Sequence, residues 1–327
     1  MKCINRKGIL AAIFLIPVIL LTGCIGNDGA VMKYEESKYQ GAMHEESFFA
    51  DTLCVTNEDI MPEKLQIDEK FHALVLFDID QNKVHLSDHV HERLYPASTT
   101  KIMTLYLALK YGDLSDTVTI SKNAVSVPSD SSVAGLQEGD RLALSDLLYG
   151  LMLPSGNDAA VAVAEHISGS VKEFVSLMNQ EANLLGATNT HFTSPHGYQN
   201  KKHYTTAYDL YLMLNQAVSD ERFCDIVSSA SHSATITDRN GSKRSVTWYQ
   251  TNQFINEQYS VSYAVPDGVT VIGGKTGTTD EAGACLTLYV KDADERRYIA
   301  IIMGADTKPI LYNTMTELLS VIPTLYK

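Results

Sequence analysis

Ser98 and Lys101 lie three residues apart in the stretch YPASTTKIMTLYLALKYG, residues 95–112. The residues between Lys101 and Lys110 are nearly all apolar, which predicts a helix over 98–110 that is buried in the body of a domain. On such a helix the two side chains share one face. An apolar setting lowers the pKa of a lysine, so that its amine can accept a proton near neutral pH and activate a serine hydroxyl. The alternative is a lysine at a helix start whose amine reaches water.

A second hydroxyl stands close to a carboxamide in LPSGNDAA, where Ser155 and Asn157 are two residues apart. Pro154 ends the preceding helical pattern, so the two side chains are predicted to lie on a turn. There they could bridge the nitrogen of a leaving group and the carbonyl of a substrate. The structural alternative is that Ser155 or Asn157 caps the helix that follows.

A glycine-rich segment, GGKTGTT (273–279), follows the β-type run VTVI. Glycines weaken a strand, and they commonly mark a place where another backbone approaches closely. A substrate peptide could pair along this strand, with Lys275 and Thr276 holding a terminal carboxylate and a backbone N–H group serving an oxyanion. A phosphate-binding loop is disfavoured, because the G-x-x-x-x-G-K-[ST] spacing is incomplete.

Strands at both ends of the chain and helices between them must position these groups. FHALVLFDID and VHLSD predict two strands around a tight turn, and VTVIGGKTGTT, ACLTLYVKD and RRYIAIIMGA predict strands near the end. Helices are predicted for the Ser98 segment, LALSDLLYGLML, NDAAVAVAEHISG, SVKEFVSLMNQEANLLG, TTAYDLYLMLNQAV, DERFCDIVSSA and about 308–321. Short β-type runs, SATITD and SVTWYQT, separate these groups of elements. The pattern predicts an α/β fold of the α+β type, with one antiparallel sheet assembled from both chain ends and flanked by helices.

The three motifs, in this order, match the S-x-x-K, S-x-N and K-T-G set of penicillin-binding proteins and class A β-lactamases. From about residue 68 to 322 the chain resembles the low-molecular-mass penicillin-binding proteins, the serine-type D-alanyl-D-alanine carboxypeptidases of the peptidase S11 type. The resemblance implies a β-lactamase/transpeptidase-like fold with a helical subdomain. It extends to flanking segments that are more specific than the motifs: PASTTKIMT, LMLPSGNDAAVAVAEHISGS, NTHFTSPHGY, HYTTAYDL and GGKTGTTDEAGACL.

The resemblance implies that Ser98 is the nucleophile, that Lys101 is its base, and that Ser155 relays a proton to the departing amine. It further implies substrate-binding roles for five residues: Asn157, Lys275, Thr276, Gly277 and Thr278. Backbone N–H groups of Ser98 and Thr278 would form the oxyanion hole. The implied reaction is acylation of Ser98 by a peptidoglycan stem peptide, loss of the terminal D-alanine and hydrolysis of the acyl-enzyme, with penicillin as an inhibitor and no metal or cofactor.

Three departures from the family pattern stand out. The chain ends at Lys327, about 50 residues after the K-T-G motif, so we expect neither the second β-rich domain nor the C-terminal anchor of many relatives. Lys308 stands in GADTKPILYN, where relatives often place an arginine that binds the carboxylate. The stretch before Lys275, around SYAVPDG, is longer than the resemblance leads us to expect.

Other functions remain open at the level of sequence. A class A β-lactamase would need a deacylating glutamate, and EANLL from Glu181 mimics that pattern except for Leu185 in place of asparagine. A D,D-endopeptidase would use the same residues as a carboxypeptidase. A β-lactam sensor would acylate without turnover.

Residues 1–23 are predicted to be a lipoprotein signal peptide. A basic start, MKCINRKG, precedes an apolar run of 13 residues, and LTGC resembles a lipobox in which Cys24 is acylated. The alternatives are an ordinary secretory signal and an uncleaved anchor. Residues 24–66 are predicted to be an acidic tether with an ordered patch near FFADTLCV, and 67–327 the catalytic domain. We therefore expect a lipid-anchored protein on the extracytoplasmic face of the bacterial membrane.

Composition narrows the classes of partner and of site. The net charge of −13 and the lack of a basic run disfavour nucleic-acid binding. Cys54, Cys224 and Cys285 lack the spacing of a disulfide framework or zinc site, although one pair could form. The histidines of HVHE (89–92) are interpreted as solvated surface, and His196 as structural.

Overall fold

The structure is a computed structural model that describes residues 51–61, 70–256, 258–259 and 263–326. In chain order, its strands and helices are β1 (Ala73–Asp78), β2 (Lys83–Asp88), a 3₁₀ helix (Ala97–Thr100), α1 (Lys101–Tyr111), β3 (Thr117–Thr119), β4 (Arg141–Ala143), α2 (Leu144–Met152), α3 (Asn157–Ser168), α4 (Val171–Leu184), α5 (Ala207–Ala217), α6 (Glu221–Ser228), β5 (Ser231–Thr237), β6 (Lys243–Tyr249), β7 (Val269–Thr279), β8 (Gly283–Asp292), β9 (Arg297–Ala305), α7 (Lys308–Ser320) and a second 3₁₀ helix (Ile322–Thr324).

The two ends of the described chain meet in one five-stranded antiparallel sheet, in the order β2-β1-β9-β8-β7. Strand β1 pairs with β9 along its whole length, from Ala73 opposite Met303 to Asp78 opposite Tyr298. Strand β7 lies at one edge and pairs with β8. This arrangement confirms the predicted sheet assembled from both chain ends.

Helices cover both faces of this sheet. Alternate residues of a strand point to opposite faces, and all six residues of β1 are buried. Leu74 and Leu76 belong to a core shared with α7, whereas Val75 and Phe77 belong to the larger core shared with α1 and α5. Because β1 is buried on both sides, its sequence, ALVLFD, is a continuous apolar run and does not alternate.

A second, four-stranded sheet contains the β-type runs SATITD and SVTWYQT, which the sequence pattern did not assign to a sheet. Its order is β3-β4-β5-β6, and Arg141 of β4 pairs with Thr237 of β5. The apolar residues of the β5–β6 hairpin face the helical part of the molecule: buried Trp248 lies over Gly150 of α2 and donates a hydrogen bond to the carbonyl of Ala134. The buried face of the hairpin therefore packs against helices that are distant in sequence. The alternation of apolar and polar residues alone does not reveal these partners.

The segment of Ser98 begins as a 3₁₀ helix and becomes α-helical only at Lys101, which corrects the prediction of one regular helix over 98–110. Ala97 has a φ of +48°, a left-handed conformation that is uncommon for residues other than glycine. In a 3₁₀ helix, residues three apart are eclipsed. Because of the 3₁₀ turn, the side chains of Ser98 and Lys101 are aligned more closely than they would be in an α-helix.

Residues 51–61 lie against the domain, although the sequence assigned them to the tether. The backbone N–H of Cys54 donates to Tyr211 Oη at 2.8 Å, and Ile60 forms two backbone hydrogen bonds with Ser87 of β2. The packed part of the chain thus extends N-terminal to the expected boundary at residue 67. The predicted signal, Cys24 and the rest of the tether lie outside the described residues. Within the described ranges, no helix combines the length and apolar character needed to span a bilayer.

The three cysteines of the described chain are all free. Cys54 and Cys285 are fully buried, and burial raises the pKa of each thiol to about 11. The disulfide that the sequence left open does not form among them.

Candidate active site

Two glycines allow other parts of the backbone to approach the Ser98 segment closely. A Cβ added to Gly197 would lie 1.8 Å from the carbonyl oxygen of Ala97, and Gly197 has a φ of +78°. A Cβ added to Gly277 of β7 would lie 2.9 Å from the carbonyl oxygen of Pro96 and 3.1 Å from the Ser98 nitrogen. Ser98 is therefore held between the 194–199 loop and the glycine-rich strand, as the close approach inferred from the sequence requires.

Lys101, three residues after Ser98, is fully buried. Its Nζ lies 3.0 Å from Ser98 Oγ, 2.7 Å from Asn157 Oδ1 and 3.2 Å from the carbonyl oxygen of His196. Burial lowers the pKa of Lys101 well below its ordinary value, and the charge of Lys275 lowers it further, while Asp158 opposes the shift. The structure therefore excludes an amine that reaches bulk water.

The three partners of the Lys101 amine differ in what they can do. Asn157 Oδ1 and the His196 carbonyl can only accept hydrogen bonds, whereas the Ser98 hydroxyl can also donate one. When the amine is neutral, it has two hydrogens and one lone pair. The two fixed acceptors take the hydrogens, and the lone pair is left to accept the Ser98 proton.

Ser155 and Asn157 are both buried next to the start of α3. Ser155 has a φ of +61°, and its Oγ has no hydrogen-bond partner among the described residues. The helix begins after Gly156 without a side-chain cap, so the capping alternative fails. A buried hydroxyl left without a partner costs free energy, and Ser155 Oγ is thus free for a ligand group.

The K-T-G residues lie near the end of edge strand β7. Lys275 is fully buried, its Nζ donates to the carbonyl of Thr276 at 3.0 Å, and burial lowers its pKa to about 7. Thr276 Oγ1 lies 2.7 Å from Thr251 Oγ1. Thr278 is exposed, and its hydroxyl donates to the carbonyl of Gly277.

Two cavities meet at Ser98, Ser132 and Thr278 and form one cleft. The larger, of about 330 Å³, is lined by Ser98, Asp130, Ser131, Ser132, Asn157, His196, Gly197, Tyr198, Gln199, Thr278, Thr279, Asp280 and Glu281. The smaller, of about 120 Å³, is lined by Ser98, Ser132, Ser155, Thr251, Gln253, Tyr259, Thr276, Gly277, Thr278, Cys285, Lys308, Leu311 and Tyr312. The eight residues to which the resemblance assigns catalysis or substrate binding therefore line this cleft or directly contact a residue that lines it.

The residues before Lys275 contribute one wall of the smaller cavity. Thr251 contacts Thr276, and the backbone N–H of Gln253 donates to Tyr312 Oη of α7. Tyr263 stacks on Tyr312 with ring centroids 4.7 Å apart. The described part of this longer stretch thus joins α7 to strand β7.

His196 and Asp158 support the site in ways that the sequence did not reveal. The ring Nδ1 of His196 accepts a hydrogen bond from the Tyr198 N–H, and burial lowers the pKa of the ring to about 3, so the ring is neutral. Its contribution to Lys101 is made by the backbone carbonyl. Asp158 accepts four backbone N–H bonds, three of them from residues 134–136, and fixes the segment that follows Ser132.

Glu181, the candidate glutamate of the β-lactamase alternative, lies elsewhere. It is buried on α4, where it pairs with Lys110 at 2.5 Å and accepts a hydrogen bond from Tyr106 Oη. It lines neither cavity of the cleft. The resemblance to a deacylating glutamate is therefore coincidental.

Comparisons with known proteins agree with this geometry. Residues 58–307 match the family profile of peptidase S11, D-alanyl-D-alanine carboxypeptidase. The chain is 37% identical over 242 residues to D-alanyl-D-alanine carboxypeptidase DacF of Bacillus subtilis, covering 72% of this chain and 57% of the relative. It is 32% identical over 257 residues to DacC of Escherichia coli, covering 76% and 60% respectively. The chain thus spans less than two thirds of the length of these relatives.

The fold also matches a solved structure along that protein's whole length. The crystal structure of the Streptomyces K15 DD-transpeptidase aligns with a TM-score of 0.72 and 30% identity, covering 81% of this chain and 100% of that one. The carboxypeptidase DacD from Francisella tularensis aligns with a TM-score of 0.69 at 24% identity, which supports the fold alone.

Proposed function

We propose, from the premise that the chain belongs to the peptidase S11 family of D-alanyl-D-alanine carboxypeptidases, that it removes the terminal D-alanine from peptidoglycan stem pentapeptides. The observation that supports this most directly is the fully buried amine of Lys101, 3.0 Å from Ser98 Oγ at the bottom of an open cleft. Such an amine is a base of suitable pKa for a serine nucleophile.

Acylation begins when the Ser98 hydroxyl proton passes to Lys101 Nζ and Oγ bonds to the carbonyl carbon of the penultimate D-alanine. The developing oxyanion accepts hydrogen bonds from the backbone N–H groups of Ser98 and Thr278. The C–N bond then breaks, and the departing nitrogen takes the proton back from Lys101 through Ser155 Oγ, which has no partner of its own. D-Alanine leaves as a free amine, and an ester on Ser98 remains.

Deacylation reverses the proton path with water in place of D-alanine. Neutral Lys101 takes a proton from water, the resulting hydroxide attacks the ester carbonyl, and Ser98 Oγ regains its proton as the acid leaves. Penicillin would acylate Ser98 through its lactam carbonyl by the same steps. General-base assistance of this kind contributes about 10²–10⁴-fold to a rate.

Substrate binding uses the strand and the turn that flank Ser98. Protonated Lys275 and Thr276 hold the C-terminal carboxylate, because a charge-assisted hydrogen bond is roughly twice as strong as a neutral one. Asn157 orients the substrate amide, and the backbone of Gly277 and Thr278 pairs with the peptide along the strand edge.

The location of the enzyme is a separate part of this proposal. The basic and apolar start of the chain and the LTGC motif support export, removal of residues 1–23 and lipid attachment at Cys24. Metabolic labelling with a radioactive or azido fatty acid tests it. Labelling of the natural chain and its loss in Cys24→Ala are expected, and equal labelling of both would overturn the anchor.

The test of the activity measures release of D-alanine from L-Ala-γ-D-Glu-L-Lys-D-Ala-D-Ala by the natural chain and by Ser98→Ala. Ser219→Ala, which removes an exposed hydroxyl, is the matched control. We expect full activity in the control, none in Ser98→Ala, and a penicillin adduct that mass spectrometry locates on Ser98. A penicillin adduct without D-alanine release would instead show a non-turnover sensor, and rapid penicillin hydrolysis would show a β-lactamase.

A further inference from the structure

The cleft carries opposite charges on the two sides of Ser98. Among the described residues that line the larger cavity are three carboxylates, those of Asp130, Asp280 and Glu281, and no lysine or arginine. We call these three residues the acidic half. The smaller cavity is lined by one formally charged residue, Lys308 at the start of α7, and by no carboxylate.

No side chain that the structure describes in the lining of the larger cavity neutralises these carboxylates. His196 is neutral because burial lowers its pKa to about 3. Tyr198 is neutral as well, since its hydrogen bond to Asp130 raises its pKa. All three carboxylates of the acidic half are exposed to the solvent of the cleft.

Hydrogen bonds between separate segments fix Asp130 and the residue that precedes Asp280. Tyr198 Oη donates to both carboxylate oxygens of Asp130 at 3.1 Å. Thr279, which precedes Asp280, donates to Gln199 Oε1 at 3.0 Å. The walls of the larger cavity are therefore tied to one another across its mouth.

The buried groups of the cleft define the direction in which a peptide lies. Ser155 is 5% exposed, its Oγ has no hydrogen-bond partner among the described residues, and it lines the smaller cavity together with Thr276. These groups serve the leaving D-alanine and its carboxylate, so the peptide preceding the scissile bond must extend past Ser98 into the larger cavity. An extended chain advances about 3.3–3.6 Å per residue, which brings the third residue of a stem pentapeptide, two positions before its end, into the acidic half.

We propose that the acidic half binds a side-chain ammonium on the residue that precedes D-alanyl-D-alanine, so that the enzyme prefers stem peptides whose diamino acid has a free amine. This inference rests on the proposed carboxypeptidase activity and specifies its substrate. A stem peptide whose amine is already acylated in a cross-link loses that charge. The enzyme would thus act preferentially on stem peptides whose amine is not yet linked.

The experiment compares D-alanine release from L-Ala-γ-D-Glu-L-Lys-D-Ala-D-Ala with release from the same peptide carrying Nε-acetyl-lysine. For the natural chain we expect kcat/KM to be about tenfold higher with the free amine, since each exposed ion pair contributes modestly. The preference should shrink as the salt concentration rises, because the acidic half is exposed.

The variant Asp130→Asn/Asp280→Asn/Glu281→Gln is expected to lose the preference for the free-amine peptide, because its kcat/KM should fall for that peptide alone. Its rate on the acetylated peptide and its penicillin labelling of Ser98 should be unchanged, which reports an intact site. The control Asp225→Asn/Asp267→Asn/Glu317→Gln removes the same charge from exposed positions outside the cleft and should keep the preference.

The outcomes separate this inference from the function on which it rests. Equal kcat/KM for both peptides in the natural chain would overturn the ammonium site and leave the carboxypeptidase intact. A preference that persists in the acidic-half variant would also overturn it. Failure to release D-alanine from either peptide would instead reject the proposed activity.

Discussion

The positive charge of Lys275 acts on Lys101, although these two fully buried lysines come from opposite ends of the domain's sequence. The positive charge of Lys275 is the second largest cause, after burial, of the lowered pKa of Lys101. Lys275 itself has a pKa of about 7 through burial alone. The two lysines therefore differ in role: Lys101 is the neutral base, and Lys275 is a cation that titrates near neutral pH.

Lys275→Met is expected to raise the pKa of Lys101, because it removes a neighbouring positive charge. The acid limb of the pH profile for penicillin acylation of Ser98 should then move to higher pH. The measurement is the acylation rate between pH 4 and 9 for the natural chain and the variant. A limb that stays in place would show that the two lysines do not interact.

The stability of the fold should also depend on Lys275. Below about pH 7 this lysine is protonated in the folded and the unfolded chain, and burial of its charge costs stability in full. Between pH 7 and its ordinary value of 10.5 the folded chain binds fewer protons than the unfolded chain. The free energy of unfolding should therefore rise with pH, by at most about 1.4 kcal/mol per pH unit from this group.

Urea unfolding of Lys275→Met tests this dependence. We expect the variant to be more stable than the natural chain at pH 6 by about 1–3 kcal/mol, because it buries no charge, and the gap to narrow by pH 9.5. Lys172→Met, at an exposed position of α4, is the control and should show no gap. A gap that does not change with pH would contradict the prediction.

Lys101→Met and Lys101→Arg should both lower the acylation rate of Ser98 by about 10²–10⁴-fold. Arginine places a permanent positive charge at this position, and its very high pKa prevents it from acting as a base. The comparison with Lys172→Met separates this loss from a general effect of removing lysine. Substantial activity in Lys101→Arg would show that the amine serves only as a positive charge.

Gly197→Ala should slow acylation, whereas Gly169→Ala should not. Both glycines have a left-handed φ near +77°, which costs a residue with a Cβ about 1–2 kcal/mol. A Cβ at Gly169 meets open space, whereas one at Gly197 would overlap the carbonyl oxygen of Ala97, next to Ser98. Urea unfolding and the acylation rate measure the two effects, and an unchanged acylation rate in Gly197→Ala would contradict the prediction.

Local sequence signals predicted the helices well, because each rests on contacts between near neighbours. In α4, Ser170 Oγ accepts the Glu173 N–H as its capping pattern predicts, and Gly186 after the helix has a φ of +78°. The closing helix α7, expected at about 308–321, runs over Lys308–Ser320. The motifs likewise identified Ser98, Lys101 and Lys275 from type and spacing.

The sequence did not predict features that depend on tertiary contacts. Ala97 has a left-handed φ where the backbones of Gly197 and Gly277 approach its segment closely, and no local propensity of PAST predicts it. Thr251 Oγ1 lies 2.7 Å from Thr276 Oγ1, a contact between residues 25 positions apart that no local pattern predicts. The separate sheet of β5 and β6 also depends on partners distant in sequence, Arg141 and α2 among them.

The pairing of β1 with β9 has a consequence for the order in which the fold assembles. Ser98 follows β1 and β2 of the five-stranded sheet. This sheet is complete only when β9, which begins more than 200 residues after the end of β2, inserts between β1 and β8. Contacts of such long range form late in folding. In a chain that has not yet added β9, Ser98 would consequently be present before the sheet that bounds its cleft is complete.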